Sequence, residues 1–158
     1  MSEGWLIQKN IVIIGGTGGM GLSAAKAFVA QGARVVVVGR NSQTCDAAQQ
    51  QLGEKGVAIC ADAIDPSAAE NAINICVQQF GTFHGLYHVA GGSGRKMGDG
   101  PLHELTLAGW NKTFELNLTS LMLSNQAAIK WLLKHKTGGS ILNMSSVLGM
   151  SPSPVHFA

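Results

Sequence analysis

Apolar residues in this chain fall into short unbroken runs, separated by longer stretches in which they recur every three or four positions. The first run lies in a strand predicted over residues 10–14. After a cluster of glycines, Leu22, Ala25, Phe28 and Val29 mark one face of a helix. That helix stops at Gln31-Gly32, where glycine suits the position just past a helix end. A second strand, residues 34–38, carries four consecutive valines. A run apolar on both faces predicts a parallel strand covered on both sides. Gly39-Arg40-Asn41-Ser42 ends it, and a helix over residues 43–52 closes at Gly53. The third strand is predicted over 57–61. Asp65-Pro66 then starts a third helix, with proline at its first position and with Ala69, Ile73, Cys76, Val77 and Phe80 on its buried face. A fourth strand over 85–89 runs into an irregular loop from Ala90 to about Pro101. One long helix over 106–134 and a fifth strand over 140–144, ended by Ser145-Ser146, complete the pattern.

Strand and helix alternate five times with short turns, the signature of βαβ units around a parallel sheet. Right-handed crossovers place helices on both faces. The expected fold is α/β: a Rossmann-type doubly wound sheet in three layers, with five strands in the order 3-2-1-4-5. Its ligand crevice lies where strands one and four diverge. The whole of 1–158 reads as one such domain.

Composition narrows the picture. Of 158 residues, 46% are hydrophobic and only 13% charged, which suits strands buried on both faces. The net charge is +2 with no basic run, so nucleic acid is not an implied partner. Cys45, Cys60 and Cys76 are widely spaced and odd in number, and none forms a Cys-x-x-Cys pair. The expectation is a reducing compartment and packing roles. No stretch approaches the roughly 18 apolar residues of a membrane span, and the first residues lack the basic start and apolar core of a signal peptide. A cytoplasmic protein is expected. The five histidines show no ligand spacing with cysteines or carboxylates, so no metal site is expected.

The candidate chemistry begins in the first turn. Gly15, Gly19 and Gly21 form a Gly-x-x-x-Gly-x-Gly spacing between strand and helix, with Thr17 and Met20 inside it. A dinucleotide pyrophosphate needs backbone N–H groups at close range and a helix N-terminus, and a Cβ in the turn would hold it away. About 20 residues on, the second strand ends where an acidic side chain would bind a ribose 2′-hydroxyl. Here Gly39 is followed by Arg40 and Asn41. A guanidinium attracts a 2′-phosphate, so NADP(H) is favoured over NAD(H). Asp62, followed by Ala63, ends the third strand at the same edge; its carboxylate either accepts from an adenine amino group or caps a turn. Ala90, Gly91 and Gly92 end the fourth strand across the crevice, where small residues let ribose and nicotinamide lie against backbone.

With these residues the chain resembles the short-chain dehydrogenase/reductase family over essentially its whole length. Gly15, Gly19 and Gly21 match the family's glycine pattern, with Ile14 where its first position is usually threonine. Its Asn-Asn-Ala-Gly segment agrees at Ala90 and Gly91 but not at the asparagines. Trp110 followed by Asn117-Leu118 resembles its helix-four segment, and Ile141-Leu142-Asn143-Met144-Ser145-Ser146 its strand-five segment. The resemblance implies hydride transfer between NADP(H) and a small carbonyl or alcohol substrate, with Ser146 orienting the substrate oxygen and Asn117 holding a water for proton relay. It also implies a homo-oligomer, dimer or tetramer. The family's Tyr-x-x-x-Lys pair would fall just past Ala158, and the one tyrosine, Tyr87, lies on strand four. The chain is thus expected to be incomplete at its C-terminal end. Alone it would be poorly soluble, because a bare parallel edge and an uncovered helix face expose apolar area at about 25 cal/mol per Å². The alternative is a catalytically inactive dinucleotide-binding module or interaction protein.

Overall fold

In a computed structural model of the chain, which describes residues 4–151, five parallel strands form one sheet in the order 3-2-1-4-5. The strands are β1 (Asn10–Ile14), β2 (Arg34–Gly39), β3 (Gly56–Cys60), β4 (Gly85–His88) and β5 (Ser140–Asn143). The helices are α1 (Gly19–Ala30), α2 (Ser42–Leu52), α3 (Ala68–Phe80), α4 (Leu107–Phe114) and α5 (Ser120–His135). The predicted architecture is the one observed.

The valine run of β2 explains how the layers hold together. Successive side chains point to opposite faces of a strand. Val36 and Val38 therefore join Val12, Ile14 and Leu86 against Ala69, Ala72, Ile73 and Cys76 of α3 and Ala128 of α5. Val35 and Val37 join Ile13 and Tyr87 against Ala25 of α1 and Ala48 and Leu52 of α2. Each valine is at most 1% exposed, and burying one contributes about 1.5–3 kcal/mol of transfer free energy. β5, at the edge, is mostly exposed.

Two predicted elements differ. α3 begins at Ala68, after Pro66. The Asp65 carboxylate accepts from the Ser67 N–H at 2.8 Å and from its hydroxyl at 2.9 Å, closing a local turn that competes with helix. Those bonds also hold the Asp65 carboxyl below its usual range. The long helix is interrupted by a π-helical turn, Glu115–Thr119. There Asn117 Nδ2 donates to the Thr113 carbonyl at 2.8 Å, one turn back, and Ser120 N–H reaches Glu115 O, five residues back. A side chain that competes for a ladder carbonyl leaves no mark on apolar periodicity.

The loop after β4 is more ordered than its composition predicts. It holds a short 3-10 turn, Arg95–Met97. The Thr113 hydroxyl accepts from Gly94 N–H at 2.8 Å and donates to the Asp99 carboxylate at 2.9 Å, which fastens the loop to α4.

Candidate nucleotide site

The carboxyl ends of β1, β2, β3 and β4 open onto a cleft of about 310 Å³. One wall is the turn between β1 and α1. Gly15 and Gly16 N–H groups both donate to Val38 O, at 2.9 and 3.0 Å, which tucks the turn onto β2. Gly15 has φ +85°, and a Cβ there would stand 2.6 Å from Ala90 N; a Cβ on Gly21 would overlap the Gly15 carbonyl oxygen. At Gly15 and Gly21 the turn thus leaves no room for a side chain. No side chain caps the first turn of α1, so its backbone N–H groups stay directed at the cleft.

Of the residues singled out for a cofactor, Gly15, Thr17, Met20, Gly21, Arg40, Asp62, Ala63, Ala90 and Gly91 line this cleft. Gly19 sits beside it in α1 at φ +49°. Asn41 instead caps α2, its Oδ1 accepting from Thr44 N at 3.2 Å. Gly92 is held outside by Asn117. Arg40 and Asp62 face each other, Nη1 to Oδ2 3.8 Å, with side chains 60% and 40% exposed, an open pairing of little energetic weight. The other Asp62 oxygen accepts from Ile64 N at 3.3 Å, so this carboxylate closes a turn and faces the cleft at once. Thr17 is buried against Gly39, where a Cβ would overlap its side chain, and its hydroxyl meets that of Thr44 at 3.3 Å.

Asn117 is exposed, yet each polar atom of its side chain is hydrogen-bonded. Its Nδ2 donates to Gly92 O at 2.6 Å and Thr113 O at 2.8 Å, and its Oδ1 accepts from Gly92 N at 3.0 Å. A Cβ on Gly91 would lie 2.7 Å from that oxygen. The side chain pins the turn after β4 to the π-helical turn. Ser146 is exposed past the end of β5, its oxygen accepting from Leu148 N at 3.2 Å at the start of a 3-10 turn, Val147–Gly149. Neither residue lines the cleft itself.

Leu116, Ser120 and Ile64 line the cleft without having been predicted. Leu116 and Ser120 stand one helical turn apart next to Asn117, and that spacing was a usable signal. His88 carries no such signal in the sequence. It is 1% exposed, with Nε2 3.0 Å from Ala90 O and Nδ1 2.8 Å from the Ser124 hydroxyl. A carbonyl only accepts, so Nε2 carries the proton and donates. Burial lowers the pKa of this ring against the opposing pull of that bond. Among the described residues, which leave out His156, no cluster of histidine, cysteine and carboxylate could hold a metal.

A doubly wound parallel sheet with a glycine-rich turn at its switch point defines a dinucleotide-binding α/β protein. Comparison with known proteins takes this further: the short chain dehydrogenase family model matches residues 9–158, and the chain belongs to that family. It is 34% identical over 151 residues to 2,5-dichloro-2,5-cyclohexadiene-1,4-diol dehydrogenase LinX of Sphingobium indicum, covering 94% of this chain and 58% of that one. It is 31% identical over 149 residues to a 3-alpha-(or 20-beta)-hydroxysteroid dehydrogenase of Mycobacterium bovis, covering 94% and 55%. Among solved structures, a short chain dehydrogenase from Bacillus anthracis superposes with a TM-score of 0.84 at 25% identity, covering 93% of this chain and 59% of that one. A short-chain type dehydrogenase/reductase from Mycobacterium ulcerans does so with 0.84 at 26%, covering 94% and 55%. The chain spans a little over half the length of these relatives.

Proposed function

We propose that the chain binds NADP(H) in this cleft and that, within the whole protein, it forms the cofactor-binding part of an oxidoreductase acting on a small carbonyl or alcohol. The observation that carries the cofactor choice is Arg40, exposed at the end of β2 on the cleft wall, with Gly39 where an acidic side chain would favour a free 2′-hydroxyl. The cradle of Gly15 and Gly21 and the uncapped start of α1 fit a pyrophosphate, with Gly19, Thr17 and Met20 around it. Arg40 binds the 2′-phosphate, and Asn41 sets the start of the neighbouring helix. Asp62 and Ala63 take the adenine side; Ala90, Gly91 and Gly92 take the nicotinamide ribose. When bound, the nicotinamide supplies or accepts a hydride. Ser146, whose hydroxyl donates to none of the described residues, orients a substrate oxygen. Asn117 bears on proton relay by fixing the backbone of two turns, since each polar atom of its side chain is already bonded.

Titration with NADPH and NADH tests this reading. A charge-assisted hydrogen bond contributes about 1.5–3 kcal/mol, so Arg40→Ala should weaken NADPH by at least about tenfold and leave NADH nearly unchanged. Equal or tighter binding of NADH by the unaltered protein would overturn the cofactor choice.

Turnover of a carbonyl substrate by the whole protein separates this reading from that of a dinucleotide-binding module without turnover.

A further inference from the structure

Cys45 and Cys60 are far apart in sequence, yet the fold brings them together beside the cleft. Cys45 stands in the first turn of α2 and is buried; Cys60 ends β3 and is exposed. Burial, and then the neighbouring Cys60 thiol, push the Cys45 thiol above its ordinary pKa. Both thiols also bond backbone carbonyls of adjoining residues. Cys45 Sγ donates to Gly39 O at 3.4 Å and to Ile59 O at 3.5 Å, the carbonyl just before Cys60. Cys60 Sγ donates to Arg40 O at 3.4 Å, and Cys60 is paired with Gly39 across the sheet. Each sulfur thus bonds one carbonyl of the Gly39-Arg40 turn. Cys76 is different: it is buried in the core, its thiol pushed up to about 12 by burial.

We infer that Cys45 and Cys60 form a reversible disulfide, and that closing it weakens nucleotide binding at Arg40. The oxidant is a small-molecule disulfide. Cys60, the exposed thiol, gives its proton to solvent and attacks one sulfur, expelling a small thiolate that takes up a proton. Cys45 then loses its proton and attacks the Cys60 sulfur of the mixed disulfide, expelling the second small thiolate. Two protein thiols are oxidised to one disulfide while one small disulfide is reduced to two thiols. Both S–H donors disappear, so Arg40 O loses its thiol partner and Gly39 O keeps only the Ala61 N–H at 2.9 Å, and the turn carrying the guanidinium is freer to shift. The disulfide stands on cysteine geometry alone; its effect on binding rests on the nucleotide reading above.

The test uses the full chain, oxidised glutathione and 2′,5′-ADP. Intact and peptide mass spectrometry should show a loss of two hydrogens, a cross-linked Cys45–Cys60 peptide and an unmodified Cys76, all reversed by dithiothreitol. Cys60→Ser should abolish the cross-link. The oxidised protein should bind 2′,5′-ADP at least about threefold more weakly than the reduced one, with no such change in Cys60→Ser. A stable glutathione adduct at Cys60 that never closes onto Cys45 would overturn the disulfide. A cross-link with unchanged affinity would overturn its effect on binding. If the reduced protein fails to bind 2′,5′-ADP, the nucleotide reading falls and takes the effect on binding with it, while the mass spectra still decide the disulfide.

Discussion

Acid should destabilise this protein through His88, and the size of the effect follows from where the ring sits. The native pKa lies below the ordinary 6.5 because the imidazole is buried. The unfolded chain therefore binds a proton that the native state refuses. Stability from this source is fully present above about pH 6.5, is lost as pH falls below it, and levels off beneath the native value. Between those limits the loss approaches about 1.4 kcal/mol per pH unit. Protonation would place a second N–H against the Ser124 hydroxyl, which has Leu121 O at 3.0 Å as another acceptor. The oxygen can turn to accept, so the cost is desolvation and not a broken bond. His84 shifts the same way, through burial and then the nearby Lys9 and Arg34 charges, and adds its own slope. The separating variant is His88→Gln, which keeps a donor for Ala90 O and cannot titrate. Urea unfolding followed by circular dichroism between about pH 5 and pH 8 should give a shallower dependence for the variant, whatever its stability at the upper end. Parallel curves for variant and unaltered protein would show that His88 binds protons equally well in both states, and the argument from burial would fail.

Three further outcomes follow from particular contacts. Gly21→Ala puts a methyl group onto the Gly15 carbonyl; overpacking of this kind costs about 1–3 kcal/mol. Thermal unfolding should drop by roughly 2–4 °C per kcal/mol, and nucleotide titration should show binding abolished. Thr113→Val removes the acceptor for the buried Gly94 N–H, so thermal unfolding should report a loss of about 1–3 kcal/mol. Asn117→Ala unties Gly92, and its amide should exchange with solvent at least about tenfold faster by NMR, equivalent to about 1.4 kcal/mol of local stability.

The sheet order could be read ahead of the structure because its cause lies in residue type. Unbroken apolar runs such as the β2 valines have few stable placements other than a covered parallel strand, and glycine spacing marks the turn that follows β1. What escaped reading depends on hydrogen bonds between residues distant in sequence. The π-helical turn arises from one asparagine competing for a carbonyl and clasping Gly92, while the apolar stripe runs straight through it. Asp65 delays α3 by the same kind of competition. His88 looked like a departure from a family segment, and only its partners on α5 reveal that it is a satisfied buried ring. The pairing of Cys45 with Cys60 needs the β2–β3 register, which no spacing rule supplies.

The contact between Gly39 and Thr17 bears on how such a site can change over generations. Any side chain at position 39 collides with the threonine, which is itself tied to Thr44. A switch of cofactor preference by placing a carboxylate there cannot be a single step. Position 17 has to shrink or move as well. Residues on two different turns thereby become epistatic.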